Sequence, residues 1–159
     1  MTDWRPGERF EDFADADPDD RSGGKPHIWR TLGYRRTVWE PGHQTIEWEA
    51  TPEYCFLAQG GGYILHGGMA TTVLDSAMGG ACWSLLNRDE VFLTGDLRVE
   101  FLRAGRPGLL RAEGHVLRRT KRIVFCAADL YDATDRHLAS SRCTQVVLPV
   151  VDEADKEES

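Results

Sequence analysis

The chain alternates apolar and polar positions in two groups of segments, and one long apolar run lies between them. In the first group, Tyr34–Glu40 and Gln44–Ala50 alternate on either side of Pro41-Gly42, the pattern of two strands joined by a tight turn. In the second, Val91–Leu102, Leu109–Arg118, Ile123–Asp132 and His137–Val147 predict four further strands. Turns at Ala104–Gly108, around Arg119–Lys121 and at Ala133–Arg136 separate them. Between the groups lies Gly67–Leu86, which contains no Lys, Arg or Glu and has Asp75 as its only charge. A helix that is apolar or small on every face is expected to be buried. His27–Gly33 predicts a short helical turn, Thr51–Tyr54 closes the hairpin, and Gln59–Gly62 is a glycine loop leading into Tyr63–Leu65. There are no internal repeats. This order predicts an α+β domain, a long central helix wrapped by a curved antiparallel sheet of five to six strands.

Gly67–Leu86 is long enough to cross a bilayer. Its glycines, Thr71, Thr72, Asp75 and Ser76 argue against that, as do the strands that follow, so no membrane segment is expected.

Charge changes the picture at the ends. Residues 1–20 hold eight acids against Arg5 and Arg9, and residues 152–159 hold five acids against Lys156. With a formal net charge of -7 and tails at -6 and -4, the body between them carries +3. Residues 1–26, rich in acids, Gly and Pro, are expected to be mobile or loosely docked, with Trp4 and Phe10 able to tether them. The folded domain is expected over 27–149, and an acidic disordered tail over 150–159. From Asp96 to Arg122 there are eight cations and three acids. That excess suits a phosphorylated small molecule. Nucleic acid is not expected as a partner, since acidic tails repel phosphate backbones and no recognition motif is present.

Cys55, Cys82, Cys126 and Cys143 are widely spaced and form no CxxC pair, so they read as packing residues rather than metal ligands. The opening Met-Thr-Asp-Trp-Arg-Pro has no apolar run behind it, which predicts a reducing cytoplasm.

Candidate chemistry gathers at the apolar run. Gly67 and Gly68 would open the helix with backbone N–H groups that lack intrahelical partners, where the macrodipole adds positive potential. A carbonyl docked there would be polarised, and His66, immediately before, can cap the turn or orient an acyl group. Asp75 lies inside the run, and a buried carboxylate needs a partner or a task. Thr71 and Thr72 can supply the partner; attack on a carbonyl or activation of water would be the task. Gly67 and Asp75 stand eight residues apart, about 12 Å along a helix. That is too far for both to serve one carbonyl, so a shared reaction requires two copies of the helix. Ala77, Gly79, Gly80 and Ala81 are small enough to let two such helices approach.

Leu65-His66-Gly67-Gly68-Met69-Ala70-Thr71-Thr72-Val73-Leu74-Asp75-Ser76-Ala77-Met78-Gly79, followed by Thr94–Arg103, resembles the PaaI-like thioesterases of the hotdog superfamily. The resemblance runs over most of residues 33–148. It implies the hotdog fold and hydrolysis of acyl-CoA to free acid and CoA, without cofactor or metal, by dimers or tetramers. It implies Asp75 as nucleophile or general base, Gly67 as oxyanion donor, His66 as the residue positioning the carbonyl, and Thr94 as the hydroxyl holding the attacking water. The family usually has Asn or Gln six residues before the histidine. Gly60 stands there, and a one-residue insertion would bring Gln59 into that role. Gly68 and, for the CoA phosphates, Arg103, Arg118, Arg119, Lys121 and Arg122 are the binding candidates. Phe56, Tyr63, Met78 and Trp83 are candidates to line an acyl pocket. The alternative is a hotdog module that binds acyl-CoA without turning it over; retention of Asp75, His66 and Thr94 together speaks against it. The catalytic pair of hotdog dehydratases is not found.

Overall fold

The computed structural model describes residues 4–13 and 27–151. The alternating segments form strands β1 (Arg35–Glu40), β2 (His43–Ala50), β5 (Glu90–Phe101), β6 (Gly108–Arg119), β7 (Ile123–Asp132) and β8 (His137–Pro149). They make one antiparallel sheet in the order β1-β2-β6-β7-β8-β5. Two strands too short to show alternation, β3 (Cys55–Leu57) and β4 (Tyr63–Leu65), pair as a separate hairpin. The glycine loop forms its tip, with Gly60, Gly61 and Gly62 all at positive φ. Short helices α1 (Glu8–Phe13) and α2 (His27–Leu32) precede the sheet, and α3 (Gly67–Trp83) lies across its concave face.

The period of two decides which side of each strand meets α3. Leu110, Ala112, Gly114 and Val116 of β6 and Val124, Cys126, Ala128 and Leu130 of β7 are buried, together with Val73, Leu74, Ala77, Met78, Ala81 and Cys82 of the helix. Each large apolar side chain so buried contributes about 1.5–3 kcal/mol. Among the described residues, no helix is long and apolar enough to cross a membrane.

The small residues of α3 are used inside the chain. A Cβ on Gly114 would stand 2.4 Å from the Ala77 carbonyl group, so the helix backbone lies directly on β6. A Cβ on Gly80 would fall 2.0 Å from the amide nitrogen of Gln44, which is buried and donates to the Ser76 carbonyl at 3.0 Å. Gly79 faces the Phe92 ring, and Ala77 and Ala81 are fully buried. This corrects the expectation that these positions admit a second helix: the chain's own strands occupy that face.

The apolar run was expected to be helical to Leu86, but α3 ends at Trp83. The Ser84 hydroxyl donates to the Ala81 carbonyl and accepts from the Gly42 N–H, both at 2.7 Å, which turns the chain back toward the first hairpin. Residues 4–13 close this end. The Gly7 N–H donates to the Ser84 carbonyl and the Arg9 N–H to the Leu86 carbonyl. The Arg9 guanidinium lies over Trp83 and donates to the Asn87 and Arg88 carbonyls. Trp4 covers Gly42, and Phe10 stacks on Trp39, whose ring also carries Arg36. Residues 1–3 and 14–26 of the expected mobile segment, and 152–159 of the acidic tail, lie outside the described residues.

Candidate active site

His66 is the residue before α3, in extended conformation, and its Nδ1 accepts from the Gly68 N–H at 3.0 Å. The side chain is therefore the helix cap, which satisfies one of the donors that a helix start leaves open. The Gly68 N–H, a binding candidate, is thereby engaged within the chain. Gly67, first in the helix, keeps an N–H with no intrahelical acceptor, and a Cβ there would meet the Phe101 ring at 3.1 Å.

Thr71 and Thr72 do not partner Asp75. Their hydroxyls donate to the Gly67 and Gly68 carbonyls at 2.8 Å, the back-bonding common for such residues in helices. The partner of Asp75 is Thr94 on β5, whose Oγ1 donates to Asp75 Oδ1 at 3.0 Å. A helix and the edge strand of the sheet thus bring together two residues that lie 19 positions apart. Burial raises the Asp75 carboxyl above the usual aspartate value, and the Thr94 hydrogen bond partly opposes that shift. Thr94 itself is exposed, as are Leu93 and Phe101 on the same strand, at 62% and 58%. β5 is an edge of the sheet: among the described residues no strand pairs on its far side.

The remaining expected site residues do not form one group. Gln59 stands exposed at the tip of the β3–β4 hairpin, with no hydrogen bond to His66, Gly67 or Asp75 among the described residues. Arg119 is held by an ion pair with Glu90 at 2.7 Å. Arg118, Lys121 and Arg122 are exposed beside it, around the β6–β7 turn. Arg103 follows the far end of β5 and donates to the His137 carbonyl at 2.8 Å. Glu90 opens the 12-residue β5, roughly 35 Å of strand, and Arg103 lies two residues past its end, so the five cationic binding candidates divide into two separate sites.

A cleft of about 320 Å³ opens beside Gly67. Its walls are Phe56 and Ile64 of the hairpin, Ala70 of α3, Phe101 at the end of β5, and Leu130 and Leu138 of the sheet. Of the expected pocket residues only Phe56 lines it. Met78 is fully buried in the core, and Trp83 packs against Phe92 and under Arg9. Ala70, Phe101 and Leu138 were not singled out from the sequence, because nothing distinguishes an apolar cleft wall from ordinary core there. The four cysteines are free thiols, and Cys82, Cys126 and Cys143 are buried.

Residues 62–139 match the family model described as the Thioesterase superfamily. The medium/long-chain acyl-CoA thioesterases YigI of Salmonella typhimurium and Escherichia coli are each 32% identical to this chain over 97 residues. That alignment takes in 53% of this chain and 63% of the relatives' length. Among solved structures, a thioesterase family protein from Silicibacter pomeroyi superposes with a TM-score of 0.72 at 24% identity, covering 89% of this chain and 96% of that one. The Escherichia coli PaaI protein superposes with a TM-score of 0.70 at 19% identity, over 78% of this chain and 86% of its own. These structures share the fold, one long helix on a curved six-stranded antiparallel sheet.

Proposed function

We propose that this chain, whose residues 62–139 match the Thioesterase superfamily model and whose fold is that of solved thioesterase structures, is a hotdog thioesterase that hydrolyses an acyl-CoA thioester to a free carboxylic acid and CoA. The observation that carries the reading is the pairing of Asp75 with Thr94. A carboxylate inside an apolar helix is held by one hydroxyl through Oδ1, and no protein donor among the described residues occupies Oδ2. Burial makes it a better base than an exposed aspartate.

In the reaction, Asp75 Oδ2 takes a proton from water as the water oxygen attacks the thioester carbon. Thr94 donates its own proton to Asp75 and keeps lone pairs that can hold this water. The carbonyl oxygen, now an oxyanion, is stabilised by the Gly67 N–H at the positive end of α3. His66 fixes the geometry of that helix start through its bond to Gly68. Collapse of the intermediate breaks the C–S bond, and the CoA thiolate leaves and is protonated. Direct attack by Asp75, with water hydrolysing the resulting anhydride, uses the same groups. Neither route needs a metal or Gln59.

Gly67 and Asp75 of one chain are about 12 Å apart along α3, so the active species contains two copies, with Asp75 of one facing Gly67 of the other. The open β5 edge, with Leu93 and Phe101 exposed, supports pairing of two copies along that strand. Arg118, Lys121 and Arg122, exposed and ion-paired to none of the described residues, are placed to meet the CoA phosphates. The free thiols suit a reducing cytoplasm. Thiol release from a panel of acyl-CoAs tests the assignment: Asp75→Ala is expected to lose turnover by about two orders of magnitude while retaining acyl-CoA binding. Equal rates for both proteins would overturn it. Sizing the active species tests the two-copy site, which a fully active monomer would contradict.

A further inference from the structure

The face of the sheet turned away from α3 carries a second, smaller hollow of about 240 Å³. Strand register accounts for it. His43 of β2, His115 of β6, Ala127 of β7, Arg142 of β8 and Arg98 of β5 are successive cross-strand partners. The alternate positions Gly114, Cys126 and Cys143 are buried on the helix side, so this row points the other way. Ala127 is the short side chain of the row, and the hollow lies over it, between His115 and Arg142. We propose that the hollow binds a small organic anion, whose carboxylate or phosphate group is held by Arg142 and His115, with Arg98 on its outer side. The site lies across the sheet from Gly67 and does not depend on the thioesterase reading.

Charge selects the ligand. Arg98 and Arg142 stand directly opposite each other on an antiparallel pair, and like charges so placed destabilise a sheet unless an anion answers them. The acids that could do so are engaged. Glu100 accepts from Arg98 at 2.6 Å. In the adjoining row, Glu113 accepts from Arg111 at 2.7 Å. Asp129 Oδ1 accepts from the Ser140 hydroxyl at 2.5 Å and lies 2.9 Å from His137 Nε2. Arg142, by contrast, has neither a hydrogen bond nor an ion pair among the described residues. Its guanidinium can present two parallel N–H groups to a carboxylate or phosphate. His115, half-buried on the other side of Ala127, adds one ring N–H. An amine or a metal cation would instead meet Arg142, and would find Glu100 and Asp129 already taken.

Volume sets the size. At the ~30 Å³ that one water occupies in the liquid, the hollow admits on the order of eight non-hydrogen atoms. Leu117 and Ala127 give it an apolar side against which a short carbon skeleton can lie. A nucleotide is too large, which separates this hollow from the CoA phosphates assigned to Arg118, Lys121 and Arg122 at the β6–β7 turn.

Titration calorimetry on the full chain tests this, with succinate and inorganic phosphate as probes and sodium chloride at matched ionic strength as the control. Wild type is expected to bind at least one probe saturably, and the arm that binds tells carboxylate from phosphate. Arg142→Gln should weaken that binding about tenfold and His115→Gln about threefold, since an ionised donor is worth more than a neutral one. Lys121→Gln, which removes a cation at the β6–β7 turn, should leave it within twofold. Thermal melting gives a second readout that misfolding would not imitate. Without probe, Arg142→Gln should melt at or above wild type, because the repulsion with Arg98 is gone. With saturating probe, wild type should melt higher. The proposal is overturned if neither probe binds saturably, if chloride reproduces the effect, or if Arg142→Gln binds within threefold of wild type. Loss of binding in Lys121→Gln equal to that in Arg142→Gln also overturns it, since the anion then sits at the turn.

Discussion

The two ends of α3 are built in opposite ways. At its C-terminal end Ser84, Gly7 and Arg9 satisfy the last carbonyls and the loop after them, and Trp4 and Phe10 cover the joint. At its N-terminal end a single capping bond to His66 engages the Gly68 N–H, and Gly67 lines a cleft. A helix whose dipole polarises a ligand must leave its positive end open, and it gains stability by closing the other. The comparison separates a residue that holds the helix from one that works at its tip, and substitutions at the two ends should give different signatures.

Gly7→Ala should have the largest effect on stability. Its Cβ would stand 2.2 Å from the Leu86 carbonyl oxygen, a backbone atom that cannot move aside, so residues 4–13 would detach. A loss of about 2–3 kcal/mol in denaturant unfolding is expected, with turnover of the folded protein changed less than twofold. Lost turnover at unchanged stability would break the comparison. His66→Ala should cost about 1 kcal/mol, the ordinary value of a helix cap, and lower kcat/KM about tenfold because the Gly67 donor is no longer held in place. A variant unaffected in rate would make His66 a structural cap only.

The smallest expected change is in pH dependence. Burial raises the Asp75 pKa above its unfolded value, so the fold favours the protonated carboxyl. That preference contributes stability below the usual aspartate range, and the contribution is lost as pH rises through the raised folded value. Activity runs the other way, since the carboxylate is the working form, and should fall as pH drops through the raised value. Thr94→Val removes the hydrogen bond that partly offsets the shift, so the acid limb of the kcat/KM profile should move to higher pH. A limb that stays in place, measured across pH 3 to 8, would detach Thr94 from Asp75 function. Asp75→Asn should melt higher than wild type near neutral pH and lose that advantage in acid, because the amide carries no charge to desolvate.

Much of this was legible in the residues themselves. The period of two in β6, β7 and β8 and the apolar run of α3 are local signals, and each survives folding because every second strand residue, and the helix face formed by Ala70, Val73, Leu74, Ala77, Met78 and Ala81, meets the same core. The HGG turn and the isolated Asp75 were legible for a related reason, since two glycines opening a helix and a lone acid in an apolar helix stand out against their neighbours. The β3–β4 hairpin was not, because three residues cannot show a period. Nor was the role of Gly79 and Gly80. A small residue says that something comes close, and the sequence does not say that the neighbours are Phe92 and Gln44.

The sequence by itself determined the kinds of elements, their order and the one acid that must find a partner, because these follow from periodicity and from the cost of burying charge. Tertiary structure alone decided that β5 crosses to the far edge beside β8 and presents Thr94 to Asp75, and that Arg103 stands apart from Arg118, Arg119, Lys121 and Arg122. It alone opened a cleft at Ala70 and Phe101. Each of these depends on which distant strands pair, and pairing is fixed by packing between residues far apart in the chain.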